Sequence, residues 1–191
     1  MISAAAGFTL AVGTFVPAAG QSVEETYRDV CAGCHGETGT SEMEGIPSLG
    51  GQPAMATAMQ LFLFREGRRP DSPMTPIAQD LSNNDLRSFS SLIEKLPPPE
   101  PLAEGRDDPA YARGKASAAK HVCRSCHEAD YSGRQQMPRL AGQREEYIKM
   151  ALAQYKSGER VGSSAAMNEL MADISEAEID DLAYFLARFG G

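Results

Sequence analysis

The sequence predicts an all-α chain made of two tandem helical domains of similar size, and three observations predict it. Sliding the 191 residues along themselves reveals one internal repeat with a period of about 92, too long for a solenoid and suited to a duplicated domain. Within each copy, Ser or Asp capping signals open apolar-periodic segments, and no stretch alternates in the manner of a strand. Between the copies lies Pro97-Pro98-Pro99-Glu100-Pro101, which favours a stiff, extended linker. The expected division is a secretory signal over 1–20, a first domain over 21–96, a linker over 97–107 and a second domain over 108–191.

The first twenty residues carry no charge, and small residues at Ala18 and Gly20 suit cleavage before Gln21; the usual basic start is missing, so an uncleaved amphiphilic anchor is the alternative. Ser22, with Glu25 three residues on, reads as a capping box for a first helix running into Cys31. Its counterpart begins at Asp108-Pro109, with proline at the first helical position. A middle helix is expected over roughly 54–66 and again over 144–157, each ending at a glycine, Gly67 or Gly158. A last helix opens at Ser82 with Asp85, and at Ser175 with Glu178, and carries a stripe such as Ile179, Leu182, Phe185 and Leu186. The segment Ile46-Pro47-Ser48-Leu49-Gly50-Gly51-Gln52 aligns with Met137-Pro138-Arg139-Leu140-Ala141-Gly142-Gln143, and Gly67 and Arg69 align with Gly158 and Arg160.

Units of about 80 to 90 residues are near the lower limit for folding alone, so each core needs a staple. The four cysteines indicate which. They form Cys31-Ala32-Gly33-Cys34-His35 and Cys123-Arg124-Ser125-Cys126-His127, and none is left for a disulfide. Two thiols at this spacing can add to the two vinyl groups of one haem while the adjacent imidazole falls under the iron. A zinc ribbon would place its two pairs about 15 to 20 residues apart. Here 88 residues separate Cys34 from Cys123. A thioredoxin-like dithiol would need a β-α-β context that this helical pattern does not offer. Two covalently bound haem c groups are therefore expected.

The sixth iron ligand decides whether an iron transfers electrons or meets substrates. Met74 lies 39 residues after His35 and Met167 lies 40 after His127, each seven residues before the matching Leu81-Ser82 or Ile174-Ser175. Met171, 44 residues after His127, is the alternative; it falls over Ala78 in the repeat, so the register favours Met167, with Met171 packing one helical turn on. Met59 and Met150 also align, inside the middle helix, and read as core. The spare histidine, His121, reads as facing solvent. Pro47 and Pro138 sit where a carbonyl could accept the second ring nitrogen of each histidine, a position that a plain turn proline would equally fill.

Formal net charge is −8, which speaks against a nucleic-acid partner. It is uneven: residues 21–101 carry 6 basic and 12 acidic side chains, and residues 102–191 carry 12 and 14, so net −6 against net −2. Ordinary solubility and partner steering both account for it.

Taken together, the two Cys-x-x-Cys-His motifs, each followed by Pro-x-Leu-x-Gly-Gln, then Gly-x-Arg, then a closing methionine and helix, resemble the class I c-type cytochromes, specifically the dihaem cytochrome c4 type. The likeness covers roughly Ser22 to Phe189. It implies two cytochrome c folds facing each other, with haem propionates meeting near the interface. His35 and His127 would be proximal ligands, Met74 and Met167 distal ligands, and Pro47 and Pro138 would supply the carbonyls. Leu49 and Leu140 would line the haem pockets, and Arg69 and Arg160 look placed for propionates, though exposed arginines would look the same. Tyr147 stands where the first half has Ala56, so a phenol-to-propionate bond would be confined to the second half. The resemblance implies a periplasmic electron carrier between a donor dehydrogenase or membrane complex and a terminal oxidase or other acceptor, compatible with peripheral membrane association. The alternative is a dihaem subunit of a dehydrogenase of the flavocytochrome c sulfide dehydrogenase type. A haem enzyme would need an open iron or extra ligands, and all four cysteines are spent.

Overall fold

Ser22 opens the first helix by exchanging two bonds with Glu25: its hydroxyl accepts the Glu25 N–H at 3.2 Å, and the Glu25 carboxylate accepts the Ser22 N–H at 2.9 Å. The computed structural model describes residues 21–69, 72–160 and 165–190; the signal read over 1–20 lies outside them. From this cap, α1 (Val23–Thr26) passes into a π-helical turn, Tyr27–Cys31, and then α2 (Ala32–His35). The helix expected to run evenly into Cys31 thus carries one wide turn just before it. The counterpart α6 (Pro109–Lys120) starts on Asp108, whose side chain accepts the Ala110 N–H at 2.8 Å. It stops short of the cysteines, and Val122 adopts a φ of 54° before α7 (Arg124–His127). Both halves break helical register at the same place by different means.

The middle helices are α3 (Ala54–Arg65) and α8 (Glu145–Ser157), followed by Gly67 and Gly158 in the left-handed conformation, φ 64° and 78°. Short helices α4 (Met74–Ala78) and α9 (Ala165–Ala172) carry the closing methionines. The last helices, α5 (Asn83–Lys95) and α10 (Glu176–Arg188), open on full capping boxes at Ser82 and Ser175. Helix α10 packs on α6 and α8, and α5 packs on α3. No strand forms among the described residues, only one isolated bridge between Arg134 and Met137.

The core of the second half gathers Tyr131, Ile148, Met171, Ile174, Ile179, Leu182, Phe185 and Leu186. That of the first is smaller, with Tyr27, Phe89 and Ile93 at its centre. Burying one such side chain is worth about 1.5 to 3 kcal/mol, so the first half rests more heavily on whatever fills its middle. The Pro-rich linker is no free spacer. A Cβ on Gly50 would strike the Pro97 carbonyl, one on Gly142 would lie 2.6 Å from the Pro99 carbonyl oxygen, and the Leu102 N–H donates to the Ala187 carbonyl at 3.0 Å. No helix among the described residues is long and apolar enough to cross a membrane.

Candidate haem sites and the interface between them

Each Cys-x-x-Cys-His motif sits at a broken helix end, so the last turn presents cysteines and histidine together. Cys31 and Cys123 are half-buried, Cys34 and Cys126 are exposed, and none of the four forms a disulfide. Burial, with the neighbouring Cys34 adding to it, pushes the Cys31 thiol up to about 11, and burial raises Cys123 likewise. Such thiols are the opposite of the low-pKa pair that a dithiol redox site requires. Among the described residues no three His, Cys, Asp or Glu side chains converge to hold a bare metal ion.

The two histidines are buried, His35 5 % and His127 8 % exposed. The Nδ1 of His35 lies 2.9 Å from the Pro47 carbonyl oxygen, and that of His127 lies 2.9 Å from the Pro138 carbonyl oxygen. A carbonyl only accepts, so Nδ1 carries the proton and Nε2 keeps its lone pair. Burial lowers both imidazole pKa values and the carbonyl bonds only partly offset it, which holds the rings neutral. A neutral ring with Nε2 unprotonated is what an iron needs as ligand. The two prolines therefore supply the carbonyls expected of them.

Haem also needs partners for its carboxylates, and the interface supplies cations that have no carboxylate partner among the described residues. Arg160 is 6 % exposed, and its Nε and Nη1 are buried with no hydrogen-bond partner. Its Nη2 donates to the Tyr147 phenol oxygen at 2.9 Å. Arg69, from the other half, lies over the Phe64 ring at 4.2 Å, donates to Gln60 at 2.7 Å and interacts with the same phenol. Burial would raise the Tyr147 pKa, but the guanidiniums of Arg160 and Arg69 outweigh it and the net shift is downward. Neither arginine has a carboxylate partner in any ion pair of the described residues. Buried guanidinium left unpaired is costly, and a pair of carboxylates at this seam would relieve it. The residues present thus fit haem at thiols, imidazoles and arginines alike. Arg69 of the first half and Arg160 of the second thus meet at one phenol, which places Tyr147 at the seam between the halves.

Met74 and Met167 are both half-buried, and Met167 packs against the second core. Met171, its rival, is 1 % exposed within that core among Ile174 and Ile179. Leu49 and Leu140 edge the two cores. Two expectations fail. Met150 is 37 % exposed, on the outer face of α8. The His121 imidazole is turned inward, 13 % exposed, with Nε2 3.3 Å from Glu178, which Lys120 also meets at 3.0 Å. The Lys120 bond, the Ser175 amide and His121 hold the Glu178 carboxyl down at about 2.

The family model described as "Cytochrome c" matches residues 111–189, and that of "Cytochrome C oxidase, cbb3-type, subunit III" matches residues 18–90. A "Thiosulfate dehydrogenase electron acceptor" of Stutzerimonas stutzeri is 31% identical over 168 residues, 83% of this chain and 76% of that one. A cytochrome c4 of Azotobacter vinelandii is 25% identical over 174 residues, 82% of this chain and 83% of that one. The solved structure of Acidithiobacillus ferrooxidans cytochrome c4 superposes with a TM-score of 0.72 at 28% identity, covering 83% of this chain and 98% of that one.

Proposed function

Since this chain belongs to the dihaem cytochrome c4-like family of class I c-type cytochromes, electron-transfer proteins with two covalently bound haem c groups, we propose that it is a periplasmic carrier which takes electrons from a donor dehydrogenase or membrane complex and passes them to a terminal oxidase or other acceptor. Bound haem supplies an iron that gains and loses one electron at a time. The chain supplies the rest. Cys31 and Cys34, and Cys123 and Cys126, anchor the groups through thioethers. His35 and His127 offer Nε2 to the irons and are held in that tautomer by the Pro47 and Pro138 carbonyls. Met74 and Met167 would each supply a sulfur ligand to one iron; the burial of Met171 in the core supports Met167 as the ligand of the second half.

The observation that carries the relay reading is the meeting of Arg69 and Arg160, one from each half, on Tyr147. These arginines would hold the carboxylates of both groups at one seam, which would favour passage of an electron between halves. The named donor of one relative, a thiosulfate dehydrogenase, makes an enzyme of that class the first donor to try. Mixing the ferric protein with a thiosulfate dehydrogenase and thiosulfate should reduce both haems, and a membrane fraction containing a terminal oxidase should reoxidise them. Isolation as a constant 1:1 complex with a flavoprotein, with no reduction by soluble donors, would replace the carrier with the dehydrogenase-subunit alternative.

A further inference from the structure

Gln52 and Gln143 close the two aligned segments, and each reaches into the other half. The Gln143 Nε2 donates to the Ser48 carbonyl at 2.8 Å, and its Oε1 accepts the Ser48 N–H at 2.8 Å together with the neighbouring Arg144 N–H at 2.9 Å. In mirror fashion the Gln52 Nε2 donates to the Arg139 carbonyl at 3.0 Å, and its Oε1 accepts the Arg139 N–H at 3.0 Å. The Ser48 N–H and the Pro47 carbonyl are two ends of one planar peptide group, as are the Arg139 N–H and the Pro138 carbonyl. Those carbonyls accept from His35 and His127. An unbroken hydrogen-bonded chain therefore runs twice from an imidazole, through one peptide group, to a glutamine of the opposite half.

We propose that each glutamine is a positioning residue that sets the electron affinity of the haem in the opposite half: Gln143 that of the haem on His35, and Gln52 that of the haem on His127. The inference rests on the histidine-ligand reading above. A peptide group whose N–H donates becomes more polarised, and its carbonyl becomes a better acceptor. A better acceptor leaves more negative charge on the imidazole, which favours the more positive ferric iron. The effect is not diluted by water at the first clasp, where Ser48 is 2 % and Gln143 4 % exposed. Both clasps exist only while the halves are docked, so docking itself lowers the electron affinity of both irons.

The test uses the full-length haem-loaded protein with Gln143→Leu and, separately, Gln52→Leu. The ring protons of each ligating histidine, assigned from the backbone by NMR, are followed through stepwise reduction. Gln143→Leu should shift the oxidised-to-reduced equilibrium of the His35 haem toward ferrous by up to about tenfold, ~59 mV for one electron, and leave the His127 haem in place. Gln52→Leu should do the reverse. Gln143→Asn and Gln52→Asn, one methylene too short to span the seam but still polar, carry the same crossed expectation if the leucine variants do not fold. Equal movement of both irons, movement confined to the variant's own half, or no movement would overturn the inference. Histidine rings without paramagnetic shifts in the ferric protein would instead refute the ligand reading, so the two failures are distinguishable.

Discussion

Gly39 in the first half and Tyr131 in the second do the same backbone work. The Gly39 carbonyl accepts the Leu49 and Gly50 amides at 2.6 and 3.0 Å, and the Tyr131 carbonyl accepts those of Leu140 and Ala141 at 2.8 and 3.2 Å. Both residues take a positive φ, 80° and 56°, which is easy for glycine and costs a tyrosine about 1 to 2 kcal/mol. The second half recovers that cost in packing. Tyr131 stands edge-on to Phe185 and Phe189 at 5.8 and 4.9 Å, and Phe185 meets Tyr111 at 5.1 Å. Each such pair adds about 0.5 to 1.5 kcal/mol to its burial. In the first half Leu92 and Leu96 stand at the phenylalanine positions, and a Cβ on Gly39 would lie 3.0 Å from Leu96. The histidine-to-proline bond is 2.9 Å in both. The comparison teaches that the buried histidine is held by backbone contacts of one motif, while the fillings around it are free to diverge.

The largest test of that comparison removes a cofactor anchor. Replacing Cys123 and Cys126 together by alanine should leave one haem per chain on a denaturing gel and unfold the second half, since so small a domain would have lost the covalent cofactor that staples its core. Retention of two haems would break the account. Next, Met167 and Met171 separate ligand from filling. Met167→Ala should remove half of the weak near-red methionine-to-iron band and open that iron to carbon monoxide. Met171→Ala should keep the band and cost about 2 to 5 kcal/mol in denaturant unfolding of the second half; the opposite pattern would move the ligand one turn along α9.

A smaller effect lies at Glu178, which joins the start of α10 to the end of α6 through Lys120 and His121. Its folded pKa, about 2, is below its ordinary 4.5. Its contribution to the second half is therefore complete above about pH 4.5 and disappears as pH falls through about 2. Glu178→Gln should flatten the rise in stability across that acid window, measured by the circular dichroism of unfolding at several pH values. The smallest concerns Val122, 63 % exposed at a φ of 54°. Val122→Gly removes little packing and relieves a β-branched residue from a disfavoured conformation, so it should stabilise the second half by up to about 1 kcal/mol.

Helix starts were legible in the sequence because caps are local: Ser22, Ser82, Ser175 and Asp108-Pro109 each bond within three residues of themselves. The π turn before Cys31 and the turned Val122 were not, since neither has a composition signature. The histidine carbonyls were legible through the repeat, which placed Pro47 and Pro138 in register. Failures came where a partner is distant in sequence. His121 depends on Glu178, 57 residues on. Gln52 and Gln143 stood out as a matched pair, yet only the docked structure shows that each bonds the other half 87 and 95 residues away. Met150 failed because α8 carries apolar residues on both faces, and periodicity alone does not say which face is covered.

The central claim, one ligand set in two different surroundings, is tested most directly by a spectroelectrochemical titration of the intact protein, with each histidine followed by NMR. With methionine on both irons, as proposed above, the near-red band should vanish in two one-electron steps. Residues 21–101 carry net −6 and residues 102–191 net −2, and negative surroundings favour the more positive ferric iron. The haem on His127 should therefore be reduced first, and the gap should narrow with added salt as exposed charges are screened beyond about 8 to 10 Å. A single step, a band accounting for one iron, or reduction of the His35 haem first would contradict the account.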